Sequence, residues 1–272
     1  MLEAALAALA GLLIGSFLNV CIFRLPRDLS VVRPRSFCPA CEKMIAWYDN
    51  VPLLSYVLLR ARCRHCGARI SFRYPLVEIL TTLSFALCVA ALGLTLPALK
   101  YCIFSAILIT LIFSDMEERI LPDEFTLGGT LIGIVLAAFV PLPPQLSFLF
   151  LPFSMAPLWR SVSEAVVGAG VSSGCIWFVG WIFEKIRHKE GLGLGDVKMI
   201  AMIGAFLGLE QALLTLIAAS LFGAISGLIY ILFARKDAST YELPFGSFLG
   251  MAALAVALFG EVTVRWYSQL GR

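Results

Sequence analysis

Apolar residues run in eight blocks along the chain, near 2 to 23, 75 to 95, 98 to 114, 124 to 140, 163 to 183, 197 to 209, 211 to 234 and 244 to 263. A bilayer core is crossed by about 17 to 25 such residues in helical form. The pattern therefore predicts an all-α polytopic membrane protein with about eight transmembrane helices. The sixth block is the shortest, and only Gly208-Leu209-Glu210-Gln211 divides it from the seventh. The long polar interval after the first block sets the organisation: a first transmembrane helix over 1–23, a loop domain over 24–74, and a seven-helix core over 75–266. A second interval, Pro141 to Ser161, holds the apolar stretch Leu146 to Phe153, which is short and broken by prolines. Backbone without partners in lipid costs several kcal/mol, so this interval reads as an external interfacial or re-entrant segment. No internal repeat or low-complexity tract is evident.

Composition agrees with the pattern. Hydrophobic residues make up 60% and charged residues 14% of the 272, against about 25% charged in soluble domains, and the mean hydropathy is +0.91. The formal net charge of +3 is small, but ten of the 21 Lys and Arg fall between Arg24 and Arg73. Positive charge stays in cytoplasmic loops, which puts this loop inside and both termini outside. Threading the remaining helices leaves only Lys100, Arg160, Arg265 and Arg272 outside. The first block has no basic segment before it, carries Glu3, and is followed by Arg24 and Arg27, so it reads as a retained helix rather than a secretory signal. The basic loop is thereby explained by topology, and no nucleic-acid partner is expected.

The same threading brings Asp115, at the end of the third block, and Asp196, at the start of the sixth, to the inner face. Carboxylates at a bilayer edge are costly and read as functional by default. Two of them sharing one water cannot both ionise cheaply, so they hold one proton between them and can act as base and acid in peptide hydrolysis. Asp123 follows Pro122 where a helix N-cap belongs and reads as structural. Gly191, Gly193 and Gly195 alternate before Asp196, letting backbone approach a neighbour or an extended substrate closely. Lys198 is two residues from Asp196, on another face of the helix, and reads as a lysine snorkelling to the interface. Glu78 reads either as a substrate-binding acid or as the partner of Arg73, and Asn19 and Arg24 either as substrate contacts or as interhelical bonds. Glu117, Glu118, Glu184 and Glu190 are ordinary solvated helix ends that add negative charge at the inner face.

Four of the eight cysteines form two C-x-x-C knuckles, Cys38-Pro39-Ala40-Cys41 and Cys63-Arg64-His65-Cys66. That spacing fits a four-thiolate zinc ribbon, and a reducing inner compartment disfavours disulfides. His65 is read as exposed rather than ligating. Cys21, Cys88, Cys102 and Cys175 lie in apolar blocks and read as small buried residues.

With these residues in view, the chain resembles the bacterial type IV prepilin peptidase and N-methyltransferase family over nearly its whole length. The resemblance rests on Gly15-Ser16-Phe17-Leu18-Asn19-Val20 with Arg24-Leu25-Pro26, the two knuckles, Asp49-Asn50-Val51-Pro52, and Arg69 through Glu78. Asp115 with Leu121-Pro122-Asp123, and Gly193-Leu194-Gly195-Asp196-Val197-Lys198, complete it. It implies that Asp115 and Asp196 are catalytic and cleave the basic leader of a prepilin or pseudopilin after a glycine at the cytoplasmic face of the inner membrane. It implies methylation of the new amino terminus with S-adenosylmethionine. It implies zinc on Cys38, Cys41, Cys63 and Cys66. Gly193, Gly195, Lys198 and Glu78 are candidate substrate-binding positions. No glycine-rich cofactor motif accompanies the methyl transfer. Two positions depart from the family pattern: Met199 stands where a leucine is common, and Ser247 where a proline is, and neither is expected to touch a catalytic position.

Two other function classes fit parts of the pattern. A membrane-anchored zinc-ribbon adaptor uses the loop and leaves the aspartates idle, whereas an ion or proton transporter uses the aspartates as a relay. Peptide cleavage that depends on both aspartates separates the enzyme from either.

Overall fold

The computed structural model describes residues 1–143, 156–187, 193–234 and 244–270, with side chains left out at 187, 231, 234 and 260–270. Helices occupy all eight apolar blocks: α1 (Leu2–Arg24), α3 (Arg73–Leu92), α4 (Leu96–Glu118), α5 (Asp123–Phe139), α6 (Pro157–Arg187), α7 (Leu194–Leu207), α8 (Leu209–Ala234) and α9 (Phe245–Leu270). A five-residue helix α2 (Leu54–Leu58) lies in the polar loop, and only isolated bridges represent β structure among the described residues. Five helices, α1, α3, α4, α6 and α8, are long and apolar enough to cross a bilayer. The expected count of eight spans is met in helices but not in span length, because α5 has 17 residues, α7 only 14, and the apolar stretch of α9 described with its side chains is Phe245–Phe259. The interfacial reading of Leu146 to Phe153 falls outside the described residues, as does Glu190. The end of that interval is helical, with Pro157 opening α6 where its missing N–H costs nothing.

The chain forms two compact units, Met1–Thr110 and Leu111–Arg272. In the first, α1 packs along α3 through one seam of small residues. A Cβ on Gly11 would stand 2.8 Å from the Thr81 carbonyl oxygen, and one on Gly15 2.8 Å from Cα of Glu78. Four residues further, Asn19 Nδ2 donates to the Tyr74 carbonyl at 3.0 Å. Spacing of four keeps all three on one helix face, and small residues there let helices meet closely in lipid. Asn19 is thus an interhelical bond. Arg24, also buried, donates to the carbonyls of Ser30, Pro34 and Arg35 and folds the chain leaving α1 back on itself.

In the second unit α7 is the central element. From Met199 to Leu207 every residue but Ala201 is buried, against α5, α6, α8 and α9. A short helix that is apolar all round belongs in a core, which is why the sixth block is too short to be an ordinary span. Gly208, at φ 85°, ends α7 and turns directly into α8, a backbone conformation that favours glycine. Gly204 of α7 meets Gly168 of α6 backbone to backbone, and an added Cβ there would overlap the Gly168 carbonyl. Backbone cannot move aside, so Gly204→Ala is expected to cost more than about 3 kcal/mol. It should show as a collapse of the melting temperature in detergent. Gly170→Ala and Gly174→Ala, where nothing stands within 4 Å, should be neutral or stabilising on the same readout.

Candidate active site and metal centre

Asp115 sits in the last turn of α4, 6% exposed. The helix stops just beyond it: Arg119 takes φ 55°, and Ser114 Oγ donates to the Ile120 carbonyl at 2.7 Å, folding the Leu121-Pro122 segment back over the helix end. Asp196 sits in the first turn of α7, which Gly193 caps in extended backbone, and its N–H donates to the Gly193 carbonyl. Leu121 joins the two regions. Its side chain would lie 3.2 Å from a Cβ on Gly195 and 3.0 Å from one on Gly246, and Gly246 would in turn crowd Cγ of Asp115 at 3.1 Å. The negative charge of Asp115 is felt directly at Asp196. Two carboxyl groups from different helices thus lie to either side of Leu121, near enough for the charge of one to act on the other.

The remaining contacts of Asp115 come from the start of α9. Its Oδ2 accepts the Ser247 backbone N–H at 2.6 Å and the Ser247 hydroxyl at 2.8 Å. The expectation that Ser247 stands apart from the candidate catalytic residues is thus corrected. A hydroxyl in the first turn of the last helix was the available signal, and only the return of α9 to the end of α4 gives it meaning.

Of the candidate substrate-binding residues, Gly195 and Gly193 lie at the pair, Gly195 packed on Leu121 and Gly193 beside Asp196 Oδ2. Lys198 Nζ pairs with Asp123 at 2.7 and 2.9 Å, a partner that the snorkelling reading did not name. Asp123 is correspondingly not an N-cap, because it is the first helical residue of α5 and makes no capping bond. Both side chains of this bridge are well exposed, at 35% and 56%, and such pairs contribute about 1 kcal/mol or less. Lys198→Met should therefore shift stability by no more than that and leave turnover nearly unchanged. Glu78 belongs to the other unit, where its Oε2 accepts the Leu53 N–H at 2.8 Å and its carboxylate also bonds Ser16. It holds Leu53, at φ 58°, in a conformation uncommon for a branched residue.

The loop between α1 and α3 brings together four sulfurs that could hold a metal ion. The sulfurs of Cys38, Cys41, Cys63 and Cys66 lie within 4.8 Å of one another, with Cys38 and Cys66 at 3.9 Å. Tetrahedral ligands at about 2.3 Å from a metal stand about 3.8 Å apart, so the set fits such an ion. The two knuckles repeat one backbone design. Cys38 N–H donates to the Lys43 carbonyl as Cys63 N–H does to Ala68, and Glu42 closes the first turn on Cys38 as Gly67 closes the second on Cys63. This is a repeat visible in the sequence only as paired cysteines. The N–H of Cys66, then that of His65, points at the Cys63 sulfur and pulls its thiol down to about 7, while against the Ala68 amide the neighbouring sulfurs push Cys66 up to about 11. Thiolates crowded in this way require a cation to coexist. Arg64 braces the second knuckle by a fork onto Asp49 at 2.6 and 2.7 Å, which holds that carboxyl below its usual range.

Comparison with known proteins adds a family to this geometry. The model of the bacterial peptidase A24 N-terminal domain matches residues 9–92, and that of the type IV leader peptidase family residues 102–228. Among curated relatives, a protein of Myxococcus xanthus is 43% identical over 82% of this chain, which spans 61% of that relative's length. One of Aeromonas salmonicida is 35% identical over 97% of this chain and 93% of its own, and one of Pseudomonas aeruginosa 32% over 96% and 92%. Each carries the name prepilin leader peptidase/N-methyltransferase. No solved structure matches.

Proposed function

The chain belongs to the type IV leader peptidase family, and from that we propose that it cleaves the basic leader from type IV prepilins or pseudopilins and methylates the amino terminus so exposed. The observation that carries this reading is that Asp115 and Asp196, from different helices, come near one another beside Gly193 and Gly195 at the start of α7. The basic loop from Arg24 to Arg73 orients the helices in a bacterial inner membrane so that this site faces the cytoplasm and the termini face the periplasm. A prepilin presents a charged leader followed by one apolar helix, and a site at the inner boundary meets the junction between them.

In the cleavage step one aspartate, ionised, takes a proton from water as the water oxygen bonds to the scissile carbonyl carbon. The other, protonated, gives its proton to the carbonyl oxygen. As the resulting diol collapses, the first aspartate passes its proton to the departing nitrogen, a diol hydroxyl returns its proton to the second aspartate, and the carbon to nitrogen bond breaks, which restores the pair to its starting charge. Gly195 is filled in by Leu121, whereas a Cβ on Gly193 would meet nothing closer than Asp196 Oδ2 at 3.5 Å, so an extended substrate segment can lie close to the backbone there. S-adenosylmethionine would enter as co-substrate: the freed amine takes its methyl group as the methyl to sulfur bond breaks, S-adenosylhomocysteine leaves, and the amine loses a proton. Cys38, Cys41, Cys63 and Cys66 would hold a zinc ion, which would close the loop and stand apart from the hydrolysis. Purified protein in lipid, incubated with a prepilin and the methyl donor, should release leader and methylated mature chain, identified together by mass spectrometry. An intact prepilin after prolonged incubation would refute the reading.

A further inference from the structure

Asp115 and Asp196 are not equivalent in their surroundings. Among the described residues no group donates a hydrogen bond to the Asp196 carboxyl, which feels chiefly burial and the charge of Asp115. Asp115, by contrast, has one oxygen held twice. Ser247 is the third residue of α9, and its N–H is shared between the Pro244 carbonyl at 3.2 Å and Oδ2 of Asp115, the nearer acceptor, at 2.6 Å. The start of α9 also turns the positive end of a long helix toward that oxygen. The Ser247 hydroxyl has a single hydrogen and two acceptors in reach, Oδ2 at 2.8 Å and the Ile112 carbonyl at 3.1 Å. The carboxylate is the nearer, and charge strengthens that bond. Ser247 is itself 2% exposed, so water does not compete for either donor. Gly246 makes the approach possible, because a side chain there would strike both Asp115 and Leu121.

We infer that Ser247 is a positioning residue of the reaction: it ties down Oδ2 of Asp115, turns Oδ1 toward the water shared with Asp196, and so makes Asp115 the proton acceptor and Asp196 the proton-bearing partner. This rests on the peptidase reading of the pair and divides the labour within it. A proline at position 247 has neither an N–H nor a hydroxyl, so a chain carrying one holds this aspartate without either donor. The serine is therefore a property of this chain's own site and reaches the chemistry through Asp115, with no contact to substrate required.

The test uses the full-length protein in lipid with a prepilin substrate. Ser247→Ala keeps the N–H and removes the hydroxyl, so kcat should fall about tenfold, the loss of one hydrogen bond to a charged acceptor. KM should stay within about twofold, because substrate binding is untouched. Ser247→Thr restores the hydroxyl and should return kcat to within about threefold of the parent. A parental kcat in the Ala variant overturns the inference, and so does an equal loss in the Ala and Thr variants, since the hydroxyl is then not the cause. Asp115→Asn and Asp196→Asn are measured alongside. If both are inactive while Ser247→Ala is unaffected, the Ser247 inference alone fails. If either still cleaves, the reading of the pair fails and this inference with it.

Discussion

Asp115→Asn and Asp196→Asn are each expected to abolish prepilin cleavage, with kcat lowered about 10,000-fold or more, while the protein stays folded. Loss of a general acid or base costs about a hundredfold to ten-thousandfold by itself. Here a single substitution also removes the shared proton, and groups that act as a unit lose nearly everything at the first removal. The double variant should accordingly be no worse than either single one. Stability should survive because Asn keeps the shape of Asp and still offers Ser247 an oxygen acceptor in place of Oδ2. For Asp196, whose carboxyl receives no hydrogen bond among the described residues, the change to Asn removes no bond at all. Mass spectrometry of leader release, with the melting temperature of each variant beside it, decides the matter. Residual cleavage within about a hundredfold of the parent would mean that one carboxylate suffices, which a shared-proton mechanism does not allow.

How far the site was legible in the sequence depended on whether its partners lie near one another in the chain. Apolar blocks located the helices, since length and hydropathy are local properties, and the positions of Asp115 and Asp196 at block ends followed from the same count. The paired cysteines were legible because metal ligands come in short spaced motifs. Gly11 and Gly15 carried an equally local signal of close helix packing that the reading of the blocks passed over. What the sequence left open was every bond that depends on the return of a distant helix. Lys198 finds Asp123 across α7 and α5, Glu78 finds the loop at Leu53, and Ser247 finds Asp115 across α9 and α4. None of these pairs has a periodicity to betray it. The central position of α7 was hidden for a related reason, as a short apolar run reads alike whether lipid or other helices surround it.

Replacing one cysteine of the loop is expected to release the metal and open the loop domain while leaving the helices standing. The purified parent should carry one zinc per chain, because four sulfurs converge on one point and no hydrophobic core of comparable size lies beneath them: Met44, Trp47, Val57 and Leu58 are all largely exposed. Zinc held by such sites contributes about 10 to 16 kcal/mol of apparent binding energy in small domains, and that energy is folding energy. Cys63→Ser should therefore lose the ion and become sensitive to trypsin between Arg33 and Arg69, where the parent resists. A strong chelator should produce the same cleavages in the parent, and added zinc should reverse them there but not in the variant. The Glu78 bond to Leu53 lies at the border of this region and anchors only its α3 side, so it cannot hold the knuckles closed by itself. A parent that contains no metal, with all four loop thiols reactive and the loop still protected, would show that the repeated turns of the two knuckles are self-sufficient and that the convergence of sulfurs has another cause.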